Sequence, residues 1–461
     1  MKNFEIDMTR GSLFPKIVKF TVPVVLAGML QLFYNAADMI VVGKFADPGS
    51  LGAVGATSAL INFIVNLFIG LSVGGCVVAA RYYGQGDREG VSRTSNTAFL
   101  LSLIGGVTLS LIGFFLARPM LLAMGTPGDV IDRSVLYMKI YFIGIPGNMV
   151  YNFCSAILRG CGDTRRPLIY LAVSGVVNVA LNLVLVIVFD LGVAGVAIAT
   201  IVSQALSAAM VLIHLCRTDT ASRISRKTLK ISKKELLMII KVGLPSGIQG
   251  SVFSISNVLI QSSVNSFGSV IMDGNTAAQN IEGFIYTAMN SAAQAAMSFS
   301  SQNYGAGKFD RIKKTVVQCA LLAAGIGAVL STLAICFSGT FLGFYINAET
   351  PNPEVVHFGQ LRLYIIASTY LLCGIMDTLS YSVRGIGHST VSMIVSLVGA
   401  CAFRVFWIFT VFAADRSLQT LYMSYPISWA LTAAAHLVCF AVFIRYEEKK
   451  VKKYTDRRLG V

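Results

Sequence analysis

Asp38 is the first residue in this chain whose type and setting point to chemistry. It lies in an apolar run, VKFTVPVVLAGMLQLFYNAADMIVV, residues 18–42. A carboxylate in hydrocarbon costs roughly 3 kcal/mol or more, so such a group faces a bundle interior or a wet cavity. Gln31, Asn35 and Asp38 follow one another at spacings of four and three residues, which stacks them on one face of an α-helix. Counting inward from the ends of the apolar runs at about 1.5 Å per residue puts Asp38, Asn182 and Thr200 on the order of 10 Å below one boundary. Asn178 is one turn deeper on the face of Asn182. Four oxygen-bearing side chains from three helices would suit a proton or a hard cation such as sodium. The same side chains would equally serve as hydrogen bonds between packed helices.

The second half of the chain holds a different set of polar residues. Glu282 and Arg404, at depths of ~10 and ~14 Å, are expected to pair between the eighth and eleventh helices. Asp377 lies seven residues before Arg384 and near the opposite boundary, where a neighbouring basic or helix-end group would satisfy it. Asn257 occupies the seventh helix at the place where the first carries Asn35. Lys241 and Arg362, nearer helix ends, are expected to snorkel. Pro23 removes a backbone hydrogen bond inside the first helix and marks a bend there.

These residues need a membrane around them, and the composition supplies it. Of 461 residues 55% are hydrophobic and only 13% charged, with a mean hydropathy of +0.70. A surface made from that composition cannot be wetted, so the chain reads as a polytopic membrane protein. The net charge of +15 is spread between apolar runs rather than gathered on one face, which excludes a nucleic-acid partner. Nine cysteines form no CxxC pair and lie mostly inside apolar runs, as reduced, small hydrophobes do. No nucleophile constellation, phosphate loop or metal-ligand spacing suggests an enzyme. The N-terminus lacks a short apolar core with a cleavage site, so the first helix is expected to be retained.

Apolar runs long enough to cross ~30 Å of hydrocarbon predict an all-α fold of twelve transmembrane helices. They fall near 17–42, 51–80, 94–117, 134–158, 167–189, 193–216, 236–264, 276–302, 315–342, 356–383, 389–413 and 418–444. One alternate set of loops, counted with Lys19 at the start of the first helix, holds 29 of the 37 Lys and Arg, while the opposite set holds four and freely carries acids such as Asp273, Glu349 and Glu354. Positive loops stay cytoplasmic, so both termini are expected inside a cell membrane. The basic stretch 217–235 and the tail 446–461 read as topogenic charge that also meets lipid headgroups.

A repeat crosses the middle loop. AARYYGQGD ends the second helix and SSQNYGAGK the eighth, with Tyr83 and Tyr304 separated by 221 residues. ILRGCGDTRRP and SVRGIGHST follow the fourth and tenth helices at an offset of 225, and Pro23 and Pro245 lie 222 apart. Glycines there permit tight turns, and each arginine is placed to anchor a helix end at the headgroups. An offset of six helices makes the halves parallel, 1–216 and 236–445, a recurring plan among transporters that work by alternating access.

Together these features resemble the multidrug and toxic compound extrusion family: proline in the first and seventh helices, an acid fifteen residues after the first proline, YGxG after the second and eighth, and RGxG after the fourth and tenth. The resemblance implies a secondary-active antiporter that exports amphipathic, often cationic, organic compounds in exchange for protons or sodium ions. It needs no cofactor and is expected to be monomeric among membrane lipids. It also implies a coupling-ion site at Asp38, Asn178, Asn182 and Thr200, with Asp38 the possible sodium ligand and Gln31 and Asn35 accessory. Asn182 stands where many members carry aspartate, so the cluster has a single carboxylate. The second half offers Asn257, Glu282, Asp377 and Arg404 but Ile260 opposite Asp38. An alternative is a flippase for a lipid-linked oligosaccharide or cell-wall precursor, which would call for a more basic cavity.

Overall fold

The computed structural model of the chain describes residues 4–45, 50–128, 130–225, 228–345 and 353–459; Glu349 lies outside them. Twelve membrane-length helical runs are present among the described residues. The first nine are α1 (Phe14–Phe45), α2 (Ser50–Gln85), α3 (Arg88–Ala123), α4 (Ile131–Gly160), α5 (Arg165–Asn182), α6 (Gly192–Arg217), α7 (Lys233–Asn265), α8 (Ser269–Gly305) and α9 (Phe309–Cys336), the last followed by the short α10 (Ser338–Gly343). The tenth joins α11 (Pro353–Ile366) to α12 (Tyr370–Gly385) through a 3-10 turn. The eleventh is α13 (Ser389–Ser396), a π-helical turn at Leu397–Ala402, α14 (Phe403–Phe409) and α15 (Val411–Ala414). The twelfth is α16 (Leu418–Leu459), which carries helix into the basic tail.

The helices overrun the expected apolar boundaries because helix formation does not stop where hydrocarbon would. Polar first turns continue them, as at Asp87, whose carboxylate accepts from the Gly90 amide at 2.8 Å and caps α3. Such a cap satisfies one of the orphan donors of a helix start. Ten helical stretches among the described residues are long and apolar enough to cross a membrane on those grounds alone. The remaining two, α4 and α8, are the more polar. Each runs among neighbours of its own unit, α4 against α2, α3 and α6, and α8 against α9, α11 and α12, so it needs less apolar surface.

The chain divides into two compact units, Met1–Asp7 with Leu26–Gly247, and Met8–Val25 with Ile248–Val461. The divisions inside α1 and α7 both fall two residues beyond a proline, Pro23 and Pro245. Each unit has its own apolar core: Leu121, Met138, Phe142, Met149 and Phe153 in the first, Ile260, Met289, Leu363, Ile366 and Tyr422 in the second. Large apolar side chains such as Phe115, Val176, Phe344 and Phe409 stay exposed, as lipid-facing residues do. The described residues of the 217–235 stretch pack within the first unit: Asn96 Nδ2 donates to Thr228 O at 3.2 Å, and Arg93 Nε and the Tyr82 hydroxyl donate to Glu235 at 3.1 and 3.2 Å.

The repeated glycines have a common physical cause. Gly86 and Gly307 adopt φ +75° and +70°, and Gly162 and Gly387 φ +95° and +100°, a left-handed region open to glycine at little steric cost. A Cβ added at Gly160 would lie 2.6 Å from Cys76 O, and one at Gly385 2.8 Å from Met297 O. The RGxG motif is therefore required by close approach of α4 to α2 and of α12 to α8. Its second arginine does not sit at the headgroups as expected. Arg384 is buried, donating to Gln249 Oε1 at 2.8 Å and Ser380 Oγ at 3.3 Å.

Candidate functional site

The polar stripe of α1, the end of α5 and the middle of α6 meet in the first unit. Asp38 Oδ1 accepts a short hydrogen bond from Asn182 Nδ2, and Asp38 Oδ2 accepts from Thr200 Oγ1 at 3.5 Å. The Asn182 amide also donates to Asn178 Oδ1 at 3.3 Å, as its spacing of four residues on α5 allows. The chain thus brings together the three residues that depth counting set at one level and Asn178 one turn deeper. Asn182 is fully buried, and its Oδ1 has no hydrogen-bond partner among the described residues.

Local backbone helps aim this cluster. Immediately after Asn182, residues Leu183–Val188 form a π-helical turn, a feature that inserts extra backbone and often marks functional positions. Asp190, at φ +52°, then closes the turn into α6. Thr200 shares its hydroxyl proton with Val196 O at 2.9 Å, which orients the oxygen toward the carboxylate face.

A cavity of about 90 Å³ opens beside Asp38, enough for a few water molecules. Gln31, Asn35, Asn178 and Thr200 line it with Tyr34, Asn148, Asn152 and Gln204. Asn148 and Gln204 line the cavity although reading for carboxylates passed them over, and Asn152, the counterpart of Asp377 across the repeat, lines it with them. The signal was present: Asn148 and Asn152 recur at four residues in an apolar stretch of α4, and Asn152 Nδ2 donates to both Asn148 O and Asn148 Oδ1 at 2.9 Å. Gly175 gives the Tyr34 ring its place, since a Cβ there would overlap it at 1.6 Å.

The second unit arranges its charges differently from expectation. Glu282 pairs with Arg362, not with Arg404: Arg362 Nη2 and Nε reach its two oxygens at 2.7 and 2.9 Å. Depth counting placed Glu282 and Arg404 at similar heights but carried no information on which helix faces which. Arg362 does not snorkel. It is 2% exposed and also donates to Asn275 Oδ1 at 2.8 Å. Arg404 instead lies over the Tyr425 ring at 4.2 Å, with its Nε on Ser428 Oγ at 3.0 Å.

Asp377 takes an amide rather than a basic partner, accepting from Asn290 Nδ2 at 3.0 Å. The same amide donates to the Tyr286 hydroxyl at 3.3 Å, and Gln294 Nε2 donates to Asn290 Oδ1 at 3.3 Å. Asn257 is exposed on α7 and Ile260 buried. Pro23 is buried within α1. Among the described residues no group of three or more His, Cys, Asp or Glu is placed to hold a metal ion. A hard cation at Asp38 would therefore rest on one carboxylate and neutral oxygens of the residues around the cavity.

Comparison with known proteins follows the same outlines. The family model MatE matches residues 23–184 and again 245–410, two copies offset by the 222 residues that separate the prolines. Probable multidrug resistance protein YpnP of Bacillus subtilis (strain 168) is 28% identical over 403 residues, 87% of this chain and 88% of that protein. Multidrug export protein MepA of Staphylococcus aureus (strain MSSA476) is 19% identical over 440 residues, 94% of each. Among solved structures, an outward-facing multidrug resistance MATE family transporter of the MOP superfamily superposes with a TM-score of 0.90 at 22% identity, covering 97% of this chain and 100% of that one. At that identity the likeness speaks to the fold.

Proposed function

The chain belongs to the MatE family of membrane transporters, and from that premise we propose that it is a secondary-active exporter of amphipathic, often cationic, organic compounds driven by antiport of protons or sodium ions. The names of its relatives support the multidrug reading. The observation that carries the coupling is the hydrogen-bonded Asp38 carboxylate beside a polar cavity. An ion taken up there competes with the Asn182 and Thr200 donors, so occupancy and vacancy favour different arrangements of α1, α5 and α6. Coupling needs no more than that, provided ion and substrate prefer opposite states. Pro23, which frees a backbone carbonyl within α1, is the point at which that helix bends most readily.

Asp377, with Asn290 and Tyr286, supplies the second unit with a carboxylate for the positive end of a substrate. A proton needs only the single carboxylate, whereas a sodium ion would draw on the neutral oxygens around it as well. The exporter is placed by this proposal in the cell membrane with both termini cytoplasmic, a reading the distribution of loop charges supports. The decisive experiment reconstitutes the protein in proteoliposomes and measures dye export under a pH gradient and a sodium gradient imposed separately. Asp38→Asn that keeps full gradient-driven export would sink the coupling role. Headgroup-specific lipid flipping without dye transport would favour the flippase instead.

A further inference from the structure

The first unit carries a second and larger cavity, of about 530 Å³, within the roughly 300–1,000 Å³ usual for small-molecule sites. Glu5 of the N-terminal segment forms one wall and the turn from Tyr83 to Arg88, between α2 and α3, another. Arg166 at the start of α5 and the stretch from Arg217 to Ala221 after α6 complete it. These residues lie just outside the apolar runs, which end at 80, begin at 167 and end at 216. That is the level at which lipid headgroups meet water.

The acids and the arginines around this cavity are not used alike. Every acid on its wall is engaged. Glu5 accepts from the Tyr83 hydroxyl at 2.9 Å, Asp87 accepts from the Gly90 amide at 2.8 Å with Arg93 Nη2 3.8 Å away, and Asp219 takes Arg223 Nη1 at 3.5 Å. Burial also pushes the Glu5 carboxyl above its ordinary value, so it presents less negative charge than an open carboxylate would. Among the arginines, Arg166 closes on Asp163 and lies 5.1 Å from the Phe4 ring. Arg88 and Arg217 are exposed, and their side chains make no hydrogen bond, ion pair or ring contact among the described residues. A lone exposed arginine is merely solvated. Here two border one cavity with room for a ligand, and the positive charge is the part left over.

We propose that this cavity binds a phosphate group, with Arg88 and Arg217 as its two anchors. Guanidinium forks match phosphate oxygens in bidentate pairs. The group arrives either on the headgroup of an anionic phospholipid or as free phosphate. Bound there, it ties the turn between α2 and α3 to the end of α6 and stabilises the first unit by mass action. The site stands independently of the export reading.

Full-length protein tests the two sources separately. In neutral detergent, Tm is followed as inorganic phosphate replaces chloride at constant pH and ionic strength. In nanodiscs, Tm is compared between phosphatidylcholine alone and phosphatidylcholine mixed with phosphatidylglycerol. The expected result is a higher Tm in at least one arm, with apparent affinity falling roughly tenfold for each arginine changed to Gln. Both side chains are exposed and unpartnered, so Arg88→Gln with Arg217→Gln is expected to melt like the wild type when phosphate and phosphatidylglycerol are absent. Arg88→Lys, which keeps the charge without the fork, is expected to respond at an intermediate level. Lys449→Gln with Lys450→Gln removes the same charge from the second unit and leaves the response intact. A response to inorganic phosphate identifies a free ligand, and one confined to phosphatidylglycerol identifies a lipid. Indifference in both arms overturns the site, as does a response that survives the double arginine change or is lost equally in the lysine control.

Discussion

The two halves share a skeleton and differ in how they keep charge inside it. In the first unit the membrane-depth carboxylate Asp38 is met, among the described residues, by the neutral donors Asn182 and Thr200 at the edge of a cavity. In the second, Glu282 is locked by Arg362 in a two-point contact with Asn275 and Tyr370 around it. A carboxylate held by neutral groups can exchange them for an ion at modest cost. One held by a buried guanidinium cannot, because freeing either partner strands a charge. Duplication thus supplied two frames: the first holds an acid met by neutral groups, and the second adds a fixed pair to its own amide-bound acid, Asp377.

The sharpest way to break this contrast is to neutralise each acid. Asp38→Asn is expected to bring gradient-driven dye export in proteoliposomes down to the level of empty vesicles while the protein still folds, whereas Glu282→Gln is expected to act on folding. The latter leaves Arg362 buried without its counter-charge and costs about 3–5 kcal/mol, read as the loss of Tm in detergent. The double change Glu282→Leu with Arg362→Met recovers most of that loss; if it does not, the pair does more than hold structure.

The shared skeleton can be probed more gently. Gly160→Ala and Gly385→Ala push a methyl group against equivalent carbonyls, Cys76 O and Met297 O, so each is expected to cost about 1–3 kcal/mol. Thermal melts that differ widely between the two would mean that the repeats are not packed alike.

The smallest expected effect is at the tyrosines of the two YGxG motifs. Tyr83 donates to Glu5 at 2.9 Å and Tyr304 to Glu447 at 2.8 Å, and burial pushes the Glu5 carboxyl above its ordinary value. The folded chain then holds a proton there that the unfolded chain has released, so stability falls as pH rises from the ordinary carboxylate range through the raised value. Glu5→Gln, which mimics the protonated form, is expected to match the wild type at the acid end and to melt slightly higher at pH 8. Parallel curves across that range would assign Glu5 no part in the dependence.

Much of the frame was legible in the sequence because it is written in local rules. Run length gives helices, glycine at fixed offsets gives turns, and Pro23 with Pro245 gives the repeat. The Asp38 cluster was legible too, since depth is a sum along one helix and polar residues stand out against Val and Leu. What the chain did not disclose was azimuth. Glu282 found Arg362 rather than Arg404, and Arg384 turned inward to Gln249, because partner choice depends on how helices rotate and pack across distances that no sequence spacing encodes. The π-helical turns were hidden for a related reason: LVLVIV and LVGACA read as ordinary apolar helix.

The turn after Asn182 has a consequence of its own. A π-helical turn holds one residue more than an α-helical turn would in its place, so it works as a phase shifter: side chains on either side of it are rotated out of step by the share of one residue. Asn178 and Asn182 keep one bearing while Val186, buried at 1%, keeps another. A single-residue deletion between Leu183 and Val188 would restore the α-helical beat and force a choice, turning either the asparagines away from Asp38 or the link to α6 away from its seat. The stretch that looks least informative in the alphabet of this chain is therefore the one that tolerates a change of length least.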